Sequence, residues 1–280
     1  MLELLQDILN YPFLFRALLA GLLISICSAL LGVNLVLKRY AMIGDGLSHV
    51  SFGALALGMA LGFSPYLLAV PVVLLAGFFL LKLSDKSGMR GDAALAMISS
   101  SSLALGIIAV SWGQGVSTDV YNFMFGSILT TSKLDLSLIA ILTAVLLLTF
   151  VFFYHKFFAI SFDENFAAAS GLKVGWYNML LAALTSLTVV MGIRIMGALL
   201  ISALIIFPAL SAMRLFKSYK AVTWASLLFS LLAFLLGFIA SYHFSTPSGA
   251  SIVLANLGIF LIVVLIAKLK PFWKQAPPAP

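Results

Sequence analysis

An acid and an imidazole stand four residues apart in the run Met42-Ile43-Gly44-Asp45-Gly46-Leu47-Ser48-His49-Val50-Ser51-Phe52-Gly53. Four residues is about one helical turn, so on a helix Asp45 and His49 project from one face. A carboxylate oxygen and an imidazole nitrogen are ligands for zinc, manganese or ferrous iron. Ionisable groups in an apolar span are costly and mark ion pathways or binding sites. Zinc usually takes four ligands, and one chain offers two here. A second copy apposing the same face across a two-fold axis would supply the rest. The plainer alternative is that Asp45 caps the helix near Lys38-Arg39 and His49 is a hydrogen-bonded interior histidine. The same stripe continues through Gly53, Ala56 and Ala60. Such a face of small residues either packs tightly on a neighbour or leaves a narrow passage.

Two further stretches stand out. In the loop spanning 155–177, Asp163-Glu164 open an alanine-rich stretch that reaches Ser170, and Gly171 stops it. Acids at the start and glycine at the end suit a short helix. It is either an ordinary connector or a docking helix that transmits motion. Residues 197–212 combine Gly197, Ala198, Ser202, Ala203 and Ala209 with Pro208 inside the span. That composition predicts close packing and a kink. Ser99-Ser100-Ser101-Ser102 lies in another apolar segment, where serines satisfy one another or line water.

The elements that must position these groups follow from composition. The chain of 280 residues is 63% hydrophobic and 9% charged, with a mean hydropathy of +1.17. A soluble domain carries about 25% charged residues, so this is an integral membrane protein. Apolar stretches of about 20 residues fit helical spans rather than the short alternating segments of a barrel. Nine are expected, near 13–37, 42–62, 65–83, 92–112, 135–154, 176–192, 195–215, 222–242 and 248–268. Segments two and three form a tight hairpin around Gly62-Phe63-Ser64-Pro65. Segments six and seven almost touch at Gly192-Ile193-Arg194, which predicts that one is short or broken. Residues 113–134 are too apolar for a plain aqueous loop and suit a re-entrant or interfacial element. The fold class is therefore an all-α membrane protein, a polytopic bundle of eight or nine transmembrane helices with a short cytoplasmic helix. Residues 1–270 form one transmembrane domain, followed by a disordered tail, 271–280.

The net charge of +7 does not point to nucleic acid, because Lys and Arg cluster in short loops on one side. That is the topogenic pattern of a cytoplasmic face, with the N-terminus outside and the C-terminus in the cytoplasm. The single cysteine, Cys27, excludes an intrachain disulfide or a thiolate cluster. No G-x-x-x-x-G-K-[ST] phosphate-binding loop occurs. An intramembrane hydrolase would need H-E-x-x-H or a nucleophile–base arrangement, and neither is present. A self-sufficient secondary transporter would show paired interrupted helices in two halves, which the chain lacks.

The chain resembles the integral-membrane permeases of bacterial ABC importers for zinc and manganese. The resemblance runs over nearly the full length and rests on three stretches. They are Gly44-Asp45-Gly46-Leu47-Ser48-His49, the loop from Phe162-Asp163-Glu164 to Gly171-Leu172-Lys173-Val174, and the span from Gly197-Ala198-Leu199-Leu200 to Pro208-Ala209. Thr246-Pro247-Ser248-Gly249-Ala250 is also similar, although Ser245 stands where many members carry an acid. The resemblance implies a homodimeric permease, or a pseudo-symmetric pair, in the cytoplasmic membrane. It would sit on two cytoplasmic ATP-binding subunits and receive its cargo from an external metal-binding protein. It implies that Asp45 and His49 bind the metal in transit, with Zn2+ the first expectation and Mn2+ the second, and that no cofactor is held permanently. It also implies that Asp163, Glu164, Ser170 and Gly171 belong to the helix that couples to the ATPase.

Overall fold

The computed structural model describes residues 7, 10–87, 89–112, 126 and 131–274. They form ten helices and, among the described residues, no strand. The helices are α1 (Pro12–Leu37), α2 (Ile43–Ala60), α3 (Pro65–Ser87), α4 (Met89–Trp112), α5 (Lys133–Phe162), α6 (Glu164–Ala169), α7 (Val174–Met196), α8 (Ala198–Leu215), α9 (Tyr219–Phe244) and α10 (Ser248–Lys274). All but α6 have at least 18 residues. The nine expected segments are therefore all helical. Several run longer than their apolar stretches. The helix α10 includes residues 271–274, which were expected to begin the tail. Most of 113–134, where a re-entrant element was expected, lies outside the described residues.

Seven of the helices are long and apolar enough to cross a membrane, and Leu200–Leu215 of α8 is a shorter apolar helix. The helix missing from that group is α2, whose glycines, serines, Asp45 and His49 lower its hydropathy. Its placement explains how so polar a segment is accommodated: α2 packs against α3, α4, α7 and α8, which cover most of it.

Local sequence sets the helix ends. Ser132 and Asp135 form a capping box at the start of α5, in which the Asp135 amide donates to Ser132 Oγ (3.1 Å) and the Ser132 amide to Asp135 Oδ2 (3.0 Å). The 30 residues of α5 span about 45 Å, more than a bilayer core of ~30 Å. Phe153 breaks the helical geometry within it (φ −108°, ψ 15°), close to where the apolar stretch ends. The last turns thus carry Tyr154, His155 and Lys156 on towards α6 as a bent continuation.

Of the seven candidate spans α1 is the most enclosed, surrounded by α5, α7, α8 and α9. Polar links tie it to its neighbours. Cys27 Sγ donates to Thr143 Oγ1 at 3.3 Å, Ser230 Oγ to the Ser25 carbonyl at 3.0 Å, and both Ser161 Oγ and the Tyr219 hydroxyl to Asn34 Oδ1 at 2.9 Å. Such bonds between spans contribute about 0.6–2 kcal/mol each. Between α7 and α8 the chain reverses at Gly197 (φ 84°, ψ 160°), a conformation open essentially to glycine alone. The contact of Gly192 with Ile201 is that of a folded-back hairpin. The expectation that one of this pair is short holds for α8.

Candidate functional site

The first turns of α2 are wedged between α8 and α4. Gly44 faces Ile205 of α8, and Gly46 faces Leu95 and Ser99 of α4. A methyl group at either glycine would lie 3.1 Å from its neighbour, so bare backbone is what lets the three helices close around Asp45. Ile205 also meets Gly32 of α1, six residues before the end of α1 at Lys38. Six residues is about 9 Å of helix. The acid–imidazole pair therefore lies inside the bundle and not at its rim.

His49 Nε2 is 3.6 Å from Asp45 Oδ2, on the shared face that four-residue spacing predicts. Ser202 Oγ of α8 donates to Asp45 Oδ1 at 3.4 Å, a long bond. Neither ring nitrogen of His49 has an ordinary hydrogen bond. The Nε2 separation exceeds hydrogen-bond length, and Nδ1 is buried with no partner. The N-cap position of α2 is Met42, and no side chain caps it. The plainer alternative of a capping acid and a satisfied interior histidine is thus not what the structure contains.

These two side chains, 34% and 21% exposed for Asp45 and His49, open into a recess of about 420 Å³. Met42, Leu95, Ala96, Ser99, Ser100 and Leu103 complete its lining. Ser99 is buried, and its hydroxyl makes no hydrogen bond within the chain. The recess therefore gathers a carboxylate, an imidazole and unengaged hydroxyl oxygen on an otherwise apolar surface. Beyond it the small-residue stripe closes: Gly53 meets the Ser102 backbone, and Ala56 is fully buried. Of the two expectations for that stripe, tight packing is correct. Among the described residues, no three His, Cys, Asp or Glu side chains converge. One protomer brings an acid–imidazole pair and no third ligand of those types.

The second candidate group lies at the Lys38 end of the bundle. Asp163 Oδ1 accepts the Phe166 amide at 3.0 Å and so caps α6. Ser170 Oγ donates to the Phe166 carbonyl at 2.9 Å, and Gly171 ends the turn at φ 83°. Glu164 turns inward to Lys38 of α1 and accepts Asn178 Nδ2 of α7 at 2.9 Å. The four residues singled out in the sequence thus shape and anchor α6. Phe166 of α6 is 68% exposed, and Phe162 at the adjoining end of α5 is 79% exposed.

The match to the ABC 3 transport family spans residues 10–267. The chain belongs to this family. It is 32% identical over 273 residues to the manganese import system permease protein ScaB of Streptococcus gordonii, covering 98% of each chain. It is 30% identical over 252 residues to the high-affinity zinc uptake system membrane protein ZnuB of Haemophilus influenzae, covering 90% of this chain and 97% of the relative. Its fold matches a chain of PsaBC from Streptococcus pneumoniae, solved in complex with Fab, with a TM-score of 0.84 and 32% identity over 94% of this chain and 95% of that one. The expected all-α polytopic bundle is the fold of this family member, and the chain is a multi-pass membrane subunit of the transporter type.

Ser202, Lys38, Phe162 and Phe166 are not among the site candidates that the sequence alone offers. The available signal for Ser202 was a hydroxyl in an otherwise apolar helix. For Phe162 and Phe166 it was large aromatics flanking Asp163-Glu164 in a loop.

Proposed function

We propose that this chain is the membrane permease of an ATP-driven importer for a divalent transition metal, and that the ion in transit is held by Asp45 and His49. The observation that carries the reading is the recess itself. A half-exposed carboxylate and an imidazole with no hydrogen-bond partner at Nδ1 stand together on α2 and open into a recess lined by α4 inside a membrane bundle. Neither group can face lipid at low cost. A second copy of the chain apposed on this face would cover the recess and double the donor set to two carboxylates and two imidazoles. Four such donors suit zinc, and partial ligation from each half suits an ion that must leave again.

Zinc is the first cargo on donor chemistry, with support from the likeness to ZnuB. The ScaB likeness favours manganese, which the same oxygen and nitrogen donors accept. In this reading the basic end of the bundle, with Lys38, Lys156, Lys173 and Lys217, faces the cytoplasm, where lysines and arginines collect. The N-terminus is then external and the C-terminus cytoplasmic. Two ATP-binding subunits dock on α6, with Phe162 and Phe166 as the apolar contact and Asp163, Glu164, Ser170 and Gly171 holding its shape. An external metal-binding protein delivers the ion. Closure of the ATPase pair displaces α6 and opens the inner side of the pathway.

The test is uptake of Zn2+ or Mn2+ by the reconstituted assembly. Asp45→Asn and His49→Ala should each abolish uptake while leaving the complex assembled. Wild-type uptake by both variants refutes the site. Metal transport by the chain in liposomes without any ATPase refutes the ATP-driven reading.

A further inference from the structure

We infer that Lys38 is the positioning residue that joins the α6 coupling helix to the Asp45–His49 site, an inference that rests on the transport reading above. Lys38 ends α1, and its side chain is only 3% exposed. Its ammonium donates to Glu164 of α6 and to Asn178 Oδ1 of α7 and lies 5.3 Å from the centre of the Tyr40 ring. A lysine this enclosed is held by directed partners on three sides, unlike the basic residues that remain in water at a membrane edge. Asp163 and Ser170 also bond to α6, but as its immediate flanks, whereas Lys38 reaches Glu164 across 126 residues of sequence.

What Lys38 grips matters because of where the chain goes next. Asp45 lies seven residues further on, and the connection between α1 and α2 is a braced turn. The Arg39 amide donates to the Val36 carbonyl at 3.1 Å, the Tyr40 amide to Leu35 at 2.7 Å, and the Ile43 amide to Tyr40 at 3.0 Å. Arg39 sits at φ 62°, a left-handed conformation that a side-chain-bearing residue keeps only when its surroundings hold it there. Tyr40 is buried. A displacement of Glu164 therefore pulls on Lys38 and, through a stiff turn, on the first turns of α2. There Ser99 of α4 lines the recess beside Asp45 and His49, and Ser202 of α8 bonds to Asp45 Oδ1. The ammonium is placed to convert movement of α6 into a change in the geometry of Asp45 and His49.

The experiment uses the full chain reconstituted with its ATPase and binding-protein partners, and reads metal transported per ATP hydrolysed, basal ATPase rate and thermal midpoint. Three forms are compared: wild type, Lys38→Met, and the double variant Lys38→Met/Glu164→Gln. Lys38→Met leaves Glu164 as a half-buried charge without its ammonium partner, so it should lower the midpoint. The double variant removes that penalty and should recover much of it. If Lys38 is the joint, Lys38→Met keeps basal hydrolysis, and the metal-to-ATP ratio falls at least tenfold in both variants. Recovery of the ratio together with stability in the double variant overturns the inference and leaves the pair a structural anchor. An unchanged ratio in Lys38→Met overturns it as well. Hydrogen exchange on the wild-type complex gives a readout independent of folding in the variants. Addition of a non-hydrolysable ATP analogue should change protection of residues 38–46 together with residues 163–170. A change confined to 163–170 overturns the inference. Failure of the wild-type complex to couple metal uptake to ATP is a different result and refutes the transport reading.

Discussion

Gly53→Ala is a sharp test of the claim that the spacing of α2 and α4 sets the recess. Gly53 lies one turn beyond His49 on the same face of α2, against the α4 backbone. A Cβ there would sit 2.5 Å from the Ser102 carbonyl oxygen and 3.2 Å from its carbon. Ordinary contact begins near 3.4 Å, so the helices must separate by about 0.9 Å at this level. The obstacle is backbone and cannot rotate away. Gly106, one turn further along α4, is packed against the same α2 face: a Cβ there would lie 3.0 Å from the Gly53 Cα. Overpacking of this kind costs about 1–3 kcal/mol. Ser99 lies three residues before Ser102 on α4, so the same separation widens the recess across from Asp45 and His49. Misplacement of positioned groups by ~1 Å costs on the order of 10²-fold where geometry governs the rate. The expected outcome is a lower thermal midpoint in detergent and a loss of ~10–100-fold in initial metal uptake by the reconstituted complex. Gly258→Ala is the control, because a Cβ there meets nothing within 4 Å, and it should leave both measurements unchanged. Uptake within twofold of wild type in Gly53→Ala would show that the α2–α4 spacing does not govern the site.

Other outcomes follow from single contacts. Ser202→Ala removes the long bond to Asp45 Oδ1 and should lower uptake by roughly 3–10-fold, the equivalent of about 0.5–1.5 kcal/mol, in an initial-rate metal uptake assay. Phe166→Ala should weaken co-purification of the ATPase subunit without changing metal binding to the permease alone, because this side chain is exposed and touches nothing in the recess. Gly197→Ala forces a Cβ into φ 84°, ψ 160° and should destabilise the protein by about 1–3 kcal/mol, read as a lower thermal midpoint.

The expectations that held depended on neighbours along the chain. Asp45 and His49 share a face because four residues make about one turn, and the α6 ends are set by Asp163 and Gly171 within a few residues. The roles of the α6 residues were harder to read. Glu164 appears in the sequence as a surface acid beside Asp163, yet in the fold it turns towards Lys38 and Asn178, 126 and 14 residues away. The small-residue stripe is compatible in sequence with packing or passage, and the Ser102 backbone against Gly53 makes it packing.

Composition alone determined that the chain lives in a membrane, since 9% charged residues cannot cover a soluble surface, and apolar runs of helical length determined the bundle. Local spacing determined which ionisable pair could act together. Tertiary structure decided what that pair faces: Ser202 reaches Asp45 across 157 residues, Ser99 lines the recess with a free hydroxyl, and Lys38 is drawn into an enclosed network at the foot of the same turn. The physical reason is one of range. Periodicity and capping act over one or two turns, whereas the partner of a buried polar group depends on how separate helices pack, and bare backbone at Gly44, Gly46 and Gly53 sets those approaches without leaving a hydrophobic signal in the sequence.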